Sequence, residues 1–162
     1  MECSPRLLIL GIGNLLMGDE GVGVHAIRAL EKERLPAGVE TLDGGTGGFH
    51  LLSCLDRRSS VIVIDATKDG SEAGTVRIIK PRFLSDYPRS LGAHDIGLRD
   101  LLESASLLGT LPTIHLITVS ITDIQSATTE LTPAVEQSLV RVVQSVHHIL
   151  CEEEFPLSDA GA

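Results

Sequence analysis

The chain has 162 residues, 43% of them hydrophobic, and only four aromatics, Phe49, Phe83, Tyr87 and Phe155, which suits one compact domain with an aliphatic core. The formal charge is −9; Glu152, Glu153, Glu154 and Asp159 account for four of the nine, so residues 1–151 carry −5. An acidic chain without clustered Lys and Arg argues against nucleic acid, whose phosphates are bound through such clusters, and the few aromatics offer no base-stacking platform.

The first apolar stretch, Leu7–Ile12, is shorter than a signal-peptide core and runs into a Gly-Asn loop. No apolar run reaches the roughly 18–20 residues that span a bilayer, so no membrane insertion and a cytoplasmic location are expected. Cys3, Cys54 and Cys151 are odd in number and form no CxxC pair, which points to buried or idle thiols rather than disulfides or a thiolate zinc site.

Short apolar runs bounded by Gly and Asp alternate with helix-like segments, the layout of βα units and a mostly parallel sheet. In chain order, Arg6–Ile12 is predicted as a buried first strand, continuously apolar because both faces are covered. Gly21–Leu35 follows as a helix, with Val24, Ile27, Leu30 and Leu35 at roughly helical spacing and acidic residues at its start. Val39–Leu42 is a short second strand, Phe49–Asp56 a second helix, and Ser60–Ala66 a third strand. The link to a fourth strand, Thr75–Lys80, is too short for a crossover helix, so that strand is predicted to run antiparallel to its neighbours. Pro81–Ala93 is aperiodic and reads as a loop, His94–Leu108 as a third helix, and Thr113–Ile121 as the fifth strand. Thr132–Cys151 is the fourth helix, opened by Thr132 as N-cap and Pro133 at the first helical position. Glu152–Ala162 is an acidic, flexible tail beyond a single domain of residues 1–151.

The Gly-rich loop Gly11–Gly23 first suggests phosphate binding. A dinucleotide fingerprint beginning at Gly11 needs Gly or Ala where Leu16 stands, and a P-loop beginning at Gly13 needs Lys and Ser/Thr where Asp19 and Glu20 stand. Two carboxylates would repel a polyphosphate, so the loop reads better as facing a cation. Other acids gather at the carboxyl ends of predicted strands: Asp43 before Gly44-Gly45-Thr46-Gly47-Gly48, Asp65 at the end of strand 3, and Asp123 after strand 5. His94 opens the third helix. Carboxylates and an imidazole with open positions suit nickel, zinc or iron.

Blander roles stay open. Asp19 or Asp43 serves equally as a cap of a helix or Gly turn, Glu20 as a helix-dipole partner, and His94 as a cap. Gly44–Gly48 is either a connector or a place where backbone lies close to a bound peptide. Asp65 is harder to set aside, since an acid ending so apolar a strand is costly to bury without a partner. His25, His50, His115, His147 and His148 are expected on helix faces or inside a strand. No GxSxG elbow and no HExxH helix are present.

Five ordered motifs, Gly11–Gly23 (GIGNLLMGDEGVG), Leu42–Gly48 (LDGGTGG), Val63–Ala66 (VIDA), His94–Leu102 (HDIGLRDLL) and Leu131–Glu136 (LTPAVE), together resemble the hydrogenase maturation endopeptidases. That resemblance implies a three-layer α/β/α fold with a mixed five-stranded sheet. It implies an enzyme that trims the C-terminal extension from the precursor of a [NiFe]-hydrogenase large subunit. It also implies that Glu20, Asp65 and His94 complete the coordination of a nickel ion already carried by the precursor. Asp43 would act in cleavage as candidate base, with Gly44, Gly45, Thr46 and Gly47 against the substrate. A nickel-binding chaperone on the same fold and a nucleotide-binding α/β domain are the alternatives. Packing of the fourth helix on the sheet accounts for its apolar face without a dimer, which favours a monomer.

Overall fold

Six residues from Leu7 to Ile12 are all buried and form the first strand, β1, as expected of a strand covered on both sides. The computed structural model describes residues 7–47, 49–82, 84–87, 102–109 and 111–155. After β1 a single 3₁₀ turn, Gly18–Gly21, leads into α1 (Val22–Leu30) and then β2 (Val39–Gly45). A turn at Phe49–Leu51 precedes the one-turn helix α2 (Leu52–Leu55), followed by β3 (Ser60–Thr67) and β4 (Val76–Ile79). A short turn at Leu84–Asp86, a helix α3 at 102–107, β5 (Thr113–Ser120) and the long α4 (Pro133–Glu152) complete the described elements.

The strands form one sheet in the order β2-β1-β3-β5-β4. All neighbours are parallel except β4, which pairs antiparallel with β5 in the register Val76↔Val119 to Ile79↔Leu116, as the short connection predicted. Alternation along the strands divides the core in two. Leu7 and Ile9 of β1, Ile62 and Ile64 of β3 and Ile117 of β5 pack with α1 and α4 on one face. Leu8 and Leu10, Val61 and Val63, and Leu116 pack with Leu55 of α2 and Leu102 and Ala105 of α3 on the other. The result is the expected three-layer arrangement, helices on both faces of a mixed sheet.

The element limits differ from the predicted ones where local chemistry overrides periodicity. The first helix stops at Leu30, five residues early: Pro36 disfavours helical backbone at Leu35, and residues 31–34 are exposed charges with no face to bury. The second helix shrinks to a 3₁₀ turn and one α turn, ended by extended backbone at Asp56 (ψ 138°). β2 and β3 each run beyond their predicted ends, while β4 is shorter than Thr75–Lys80. Of the predicted third helix only 102–107 is helical among the described residues, and 94–101 lie outside them. Most of the predicted loop Pro81–Ala93 also lies outside them.

The predicted acidic tail is anchored over its described part. Glu152 still belongs to α4, and the Phe155 N–H donates to the Leu150 carbonyl at 2.7 Å. Glu153 accepts a hydrogen bond from the Ser60 hydroxyl at 2.7 Å, and its other oxygen lies 2.7 Å from His115 Nε2. Residues 156–162 lie outside the described part. No helix among the described residues is long and apolar enough to cross a membrane. Cys54 is half-buried and Cys151 exposed, both as free thiols, while Cys3 lies outside the described residues.

Candidate functional site

Strand order reverses beside β1: the chain passes from β1 to β2 on one side, and β3 lies on the other. In open α/β sheets the crevice beyond the carboxyl ends at such a point is the usual ligand site. The loop after β1 crosses it. Gly13 and Gly23 let that loop lie against the sheet: a Cβ on Gly13 (φ +146°) would run into the Glu20 carbonyl, and one on Gly23 into the carbonyls of Ile12 and Ile64. The 3₁₀ turn carrying Asp19 and Glu20 is thereby held against the end of β3.

Glu20 and Asp65 reach this crevice from the β1–α1 loop and from β3. Both are buried, 4% and 6% exposed. Asp65 sits two residues before the end of β3, opposite Thr118 of β5, and its Oδ1 accepts the Ala66 N–H at 2.8 Å. Two carboxylates at one crevice provide hard oxygen donors of the kind a borderline divalent cation accepts alongside imidazole. His94, the third predicted ligand, lies outside the described residues. Among the described residues no group of three His, Cys, Asp or Glu side chains is placed to hold a metal ion.

Asp43 is at the same edge but not in the same place. It stands opposite Gly11 on β2, with Ile64 of β3 on the far side of Gly11, so β2 and β3 are two strand spacings, roughly 10 Å, apart. Alternation puts Asp43 on the face of Val39, toward α1, and Asp65 on the face of Val61 and Val63, toward α2 and α3. Asp43 is exposed, and its Oδ1 accepts the Gly45 N–H at 2.9 Å, the Gly-turn role that its position allowed. The following segment is tied to the first loop: Gly13 N–H donates to the Gly45 carbonyl at 2.9 Å, and Gly47 N–H to the Gly44 carbonyl at 3.0 Å. Gly44 and Gly47 are half-buried and Thr46 is exposed, so this segment borders the crevice with its backbone near the surface.

Asp19, Glu20's neighbour, is 1% exposed and engaged structurally: Oδ1 accepts the Thr132 N–H at 2.7 Å and Oδ2 the Thr132 hydroxyl at 2.8 Å. Asp123 is exposed. The histidines among the described residues have local roles. His25 bonds the Thr129 carbonyl, while His115, His147 and His148 lie beside Glu153, Glu33 and Glu152, and His50 is exposed. A cavity of about 510 Å³ lined by Lys80, Arg82, Tyr87 and Ser106 opens at the start of β5, the opposite edge of the sheet, and contains none of the predicted site residues. Sequence reasoning missed Gln125, whose Oε1 accepts the Asp19 N–H at 2.9 Å; 106 residues separate the two, and no local pattern signals the contact.

The family model described as hydrogenase maturation protease matches residues 24–149. The chain belongs to the hydrogenase maturation proteases. It is therefore a member of a peptidase family, as the motifs implied. It is 33% identical over 144 residues to the hydrogenase 2 maturation protease of Escherichia coli (strain K12), covering 87% of this chain and 88% of that protein. The solved structure of the hydrogenase maturating endopeptidase HybD from E. coli superposes with a TM-score of 0.83 at 33% identity, over 91% of this chain and 93% of that one. A further relative, the hydrogenase expression/formation protein HupM of Azotobacter chroococcum mcd 1, is 41% identical over 114 residues, 67% of this chain and 54% of HupM. The chain thus spans about half the length of that relative.

Proposed function

We propose that this protein is the endopeptidase that removes the C-terminal extension of a [NiFe]-hydrogenase large-subunit precursor, acting in the cytoplasm on precursor already loaded with nickel. The observation that carries the reading is the pair Glu20 and Asp65. Two acids from different elements are buried at the strand-reversal crevice of a chain that belongs to this protease family. In this reading the nickel arrives as part of the substrate, and Glu20, Asp65 and His94 complete its coordination. A nickel-free precursor would offer these residues nothing to ligate, so recognition doubles as a check on loading.

Cleavage is hydrolysis: water adds to the scissile carbonyl carbon, its proton passes to a base, and the peptide nitrogen leaves with a proton. Asp43, exposed beside the Gly44–Gly47 segment, is the candidate base. The backbone of that segment, which borders the crevice with Thr46 exposed, can lie along the extended substrate. The pleat supports a division of labour between the two strand acids, with Asp65 on the face of α2 and α3 and Asp43 on the face of α1. Incubation of nickel-loaded precursor with the wild-type protein and with Glu20→Gln, Asp65→Asn and His94→Ala, read by intact mass, tests this. Wild-type should shorten the precursor, and each variant should slow cleavage by about 10–100-fold. Normal processing by all three variants would remove the assignment, and nickel binding without any shortening by the wild-type would favour a chaperone.

A further inference from the structure

Asp19 and Glu20 are adjacent, both acidic and both buried, yet the structure gives them different work. Asp19 uses both carboxylate oxygens on one distant residue, accepting the Thr132 N–H and the Thr132 hydroxyl. Its own N–H donates to Gln125. Two residues earlier the same loop pairs with the β5–α4 connection as a short parallel bridge, Met17 to Thr128. There Gly18 N–H donates to the Thr128 carbonyl at 2.9 Å and Thr128 N–H to the Leu16 carbonyl at 3.1 Å. Gly18 itself adopts φ +57°, and a Cβ there would strike the Gln125 side chain. The segment 125–132 thus holds the loop through Leu16, Gly18 and Asp19, with Met17 bridged to Thr128 between them.

The grip diverts a group from its ordinary task. Thr132 occupies the N-cap position of α4 with extended backbone (ψ 154°), where a threonine hydroxyl usually accepts an N–H of the first turn, but it makes no side-chain cap bond. The hydroxyl is turned to Asp19 instead. On the other side of Glu20, its carbonyl lies in the space that any side chain at position 13 would need. The backbone of Glu20 is therefore fixed from both directions.

We propose that Asp19, with Thr132 and Gln125, is a positioning element that sets the backbone of Glu20 so that its carboxylate faces the crevice. Asp19 does not touch nickel; it acts through its neighbour. The proposal rests on the reading of Glu20 as a nickel-contacting residue, and the test separates the two. The purified full-length protein is titrated with nickel(II) chloride by calorimetry as wild-type, Glu20→Gln, Asp19→Asn, Thr132→Val and Thr132→Ser, with circular dichroism confirming the fold of each. Asp19→Asn turns an amide toward one of two donors and should weaken nickel binding about tenfold, or about 1.4 kcal/mol. Thr132→Val, which keeps the N–H but loses the hydroxyl, should weaken it about threefold, and Thr132→Ser should restore it. If Asp19→Asn fails to fold, the Thr132→Val and Thr132→Ser pair decides. Wild-type affinity in folded Asp19→Asn or in Thr132→Val overturns the proposal while Glu20→Gln still binds weakly. Wild-type affinity in Glu20→Gln overturns it together with the reading of the site.

Discussion

At the starting edge of the parallel strands, Glu153 from the end of α4 is shared between the Ser60 hydroxyl on β3 and the His115 imidazole on β5. At the opposite edge, Glu20, Asp43 and Asp65 arrive from a loop and two strands around the point of strand reversal. Burial alone would raise the Glu153 pKa, but Ser60, His115 and the nearby Lys80 outweigh it and hold the carboxyl below its ordinary value. That acid closes the molecule by tying the last turn of α4 to the sheet. Asp19 behaves in the same way at the other edge, with both oxygens on Thr132. The contrast teaches that burial of an acid does not by itself mark a functional site. An acid whose oxygens are committed to hydroxyls and imidazoles of the scaffold holds structure together, and the acids that matter to a ligand are those the scaffold carries to the crevice.

Two substitutions separate the edges. Asp43→Asn should lower cleavage of nickel-loaded precursor by about 10²–10⁴-fold if it is the general base. Stability should change by less than about 0.5 kcal/mol, because asparagine still accepts the Gly45 N–H. Single-turnover cleavage and urea melts of the same preparation measure both; a loss of stability with unchanged cleavage would return Asp43 to a purely structural role.

Glu153→Gln should show the converse pattern. Weakening two charge-assisted bonds should cost about 1–2 kcal/mol at pH 7, with cleavage by the folded protein unchanged. Because the folded-state pKa of Glu153 is lowered, its stabilisation is present above the ordinary glutamate value and is lost as pH falls through the lowered folded value. Urea melts from pH 7 down to pH 3 should therefore show the gap between wild-type and Glu153→Gln narrowing in the acid range. A gap that stayed constant would break the assignment of Glu153 as an ionised clasp.

Much of the scaffold is legible in the sequence because its signals are local. Leu7–Ile12 and Val61–Ile64 read as buried strands from apolar continuity, and the antiparallel β4 follows from a connection too short to cross over. Pro133 marks the start of α4 within a residue. What is not legible is set by contacts far apart in the chain. Asp19 looks like a cap for the helix that follows it, yet its partner is 113 residues away. Glu153 looks like the start of a solvated acidic tail, and only the fold brings it to Ser60 and His115. The face on which Asp43 lies depends on where β2 pairs with β1, which alternation alone cannot fix.

If the Glu20–Asp65 crevice reads nickel in the precursor before the chain is cut, nickel loading must govern cleavage. The direct test is to incubate one preparation of hydrogenase large-subunit precursor, half loaded with nickel and half nickel-free, with the protein and to follow intact mass over time. Shortening of the loaded precursor with the nickel-free one left intact is the predicted result. Equal shortening of both would contradict it.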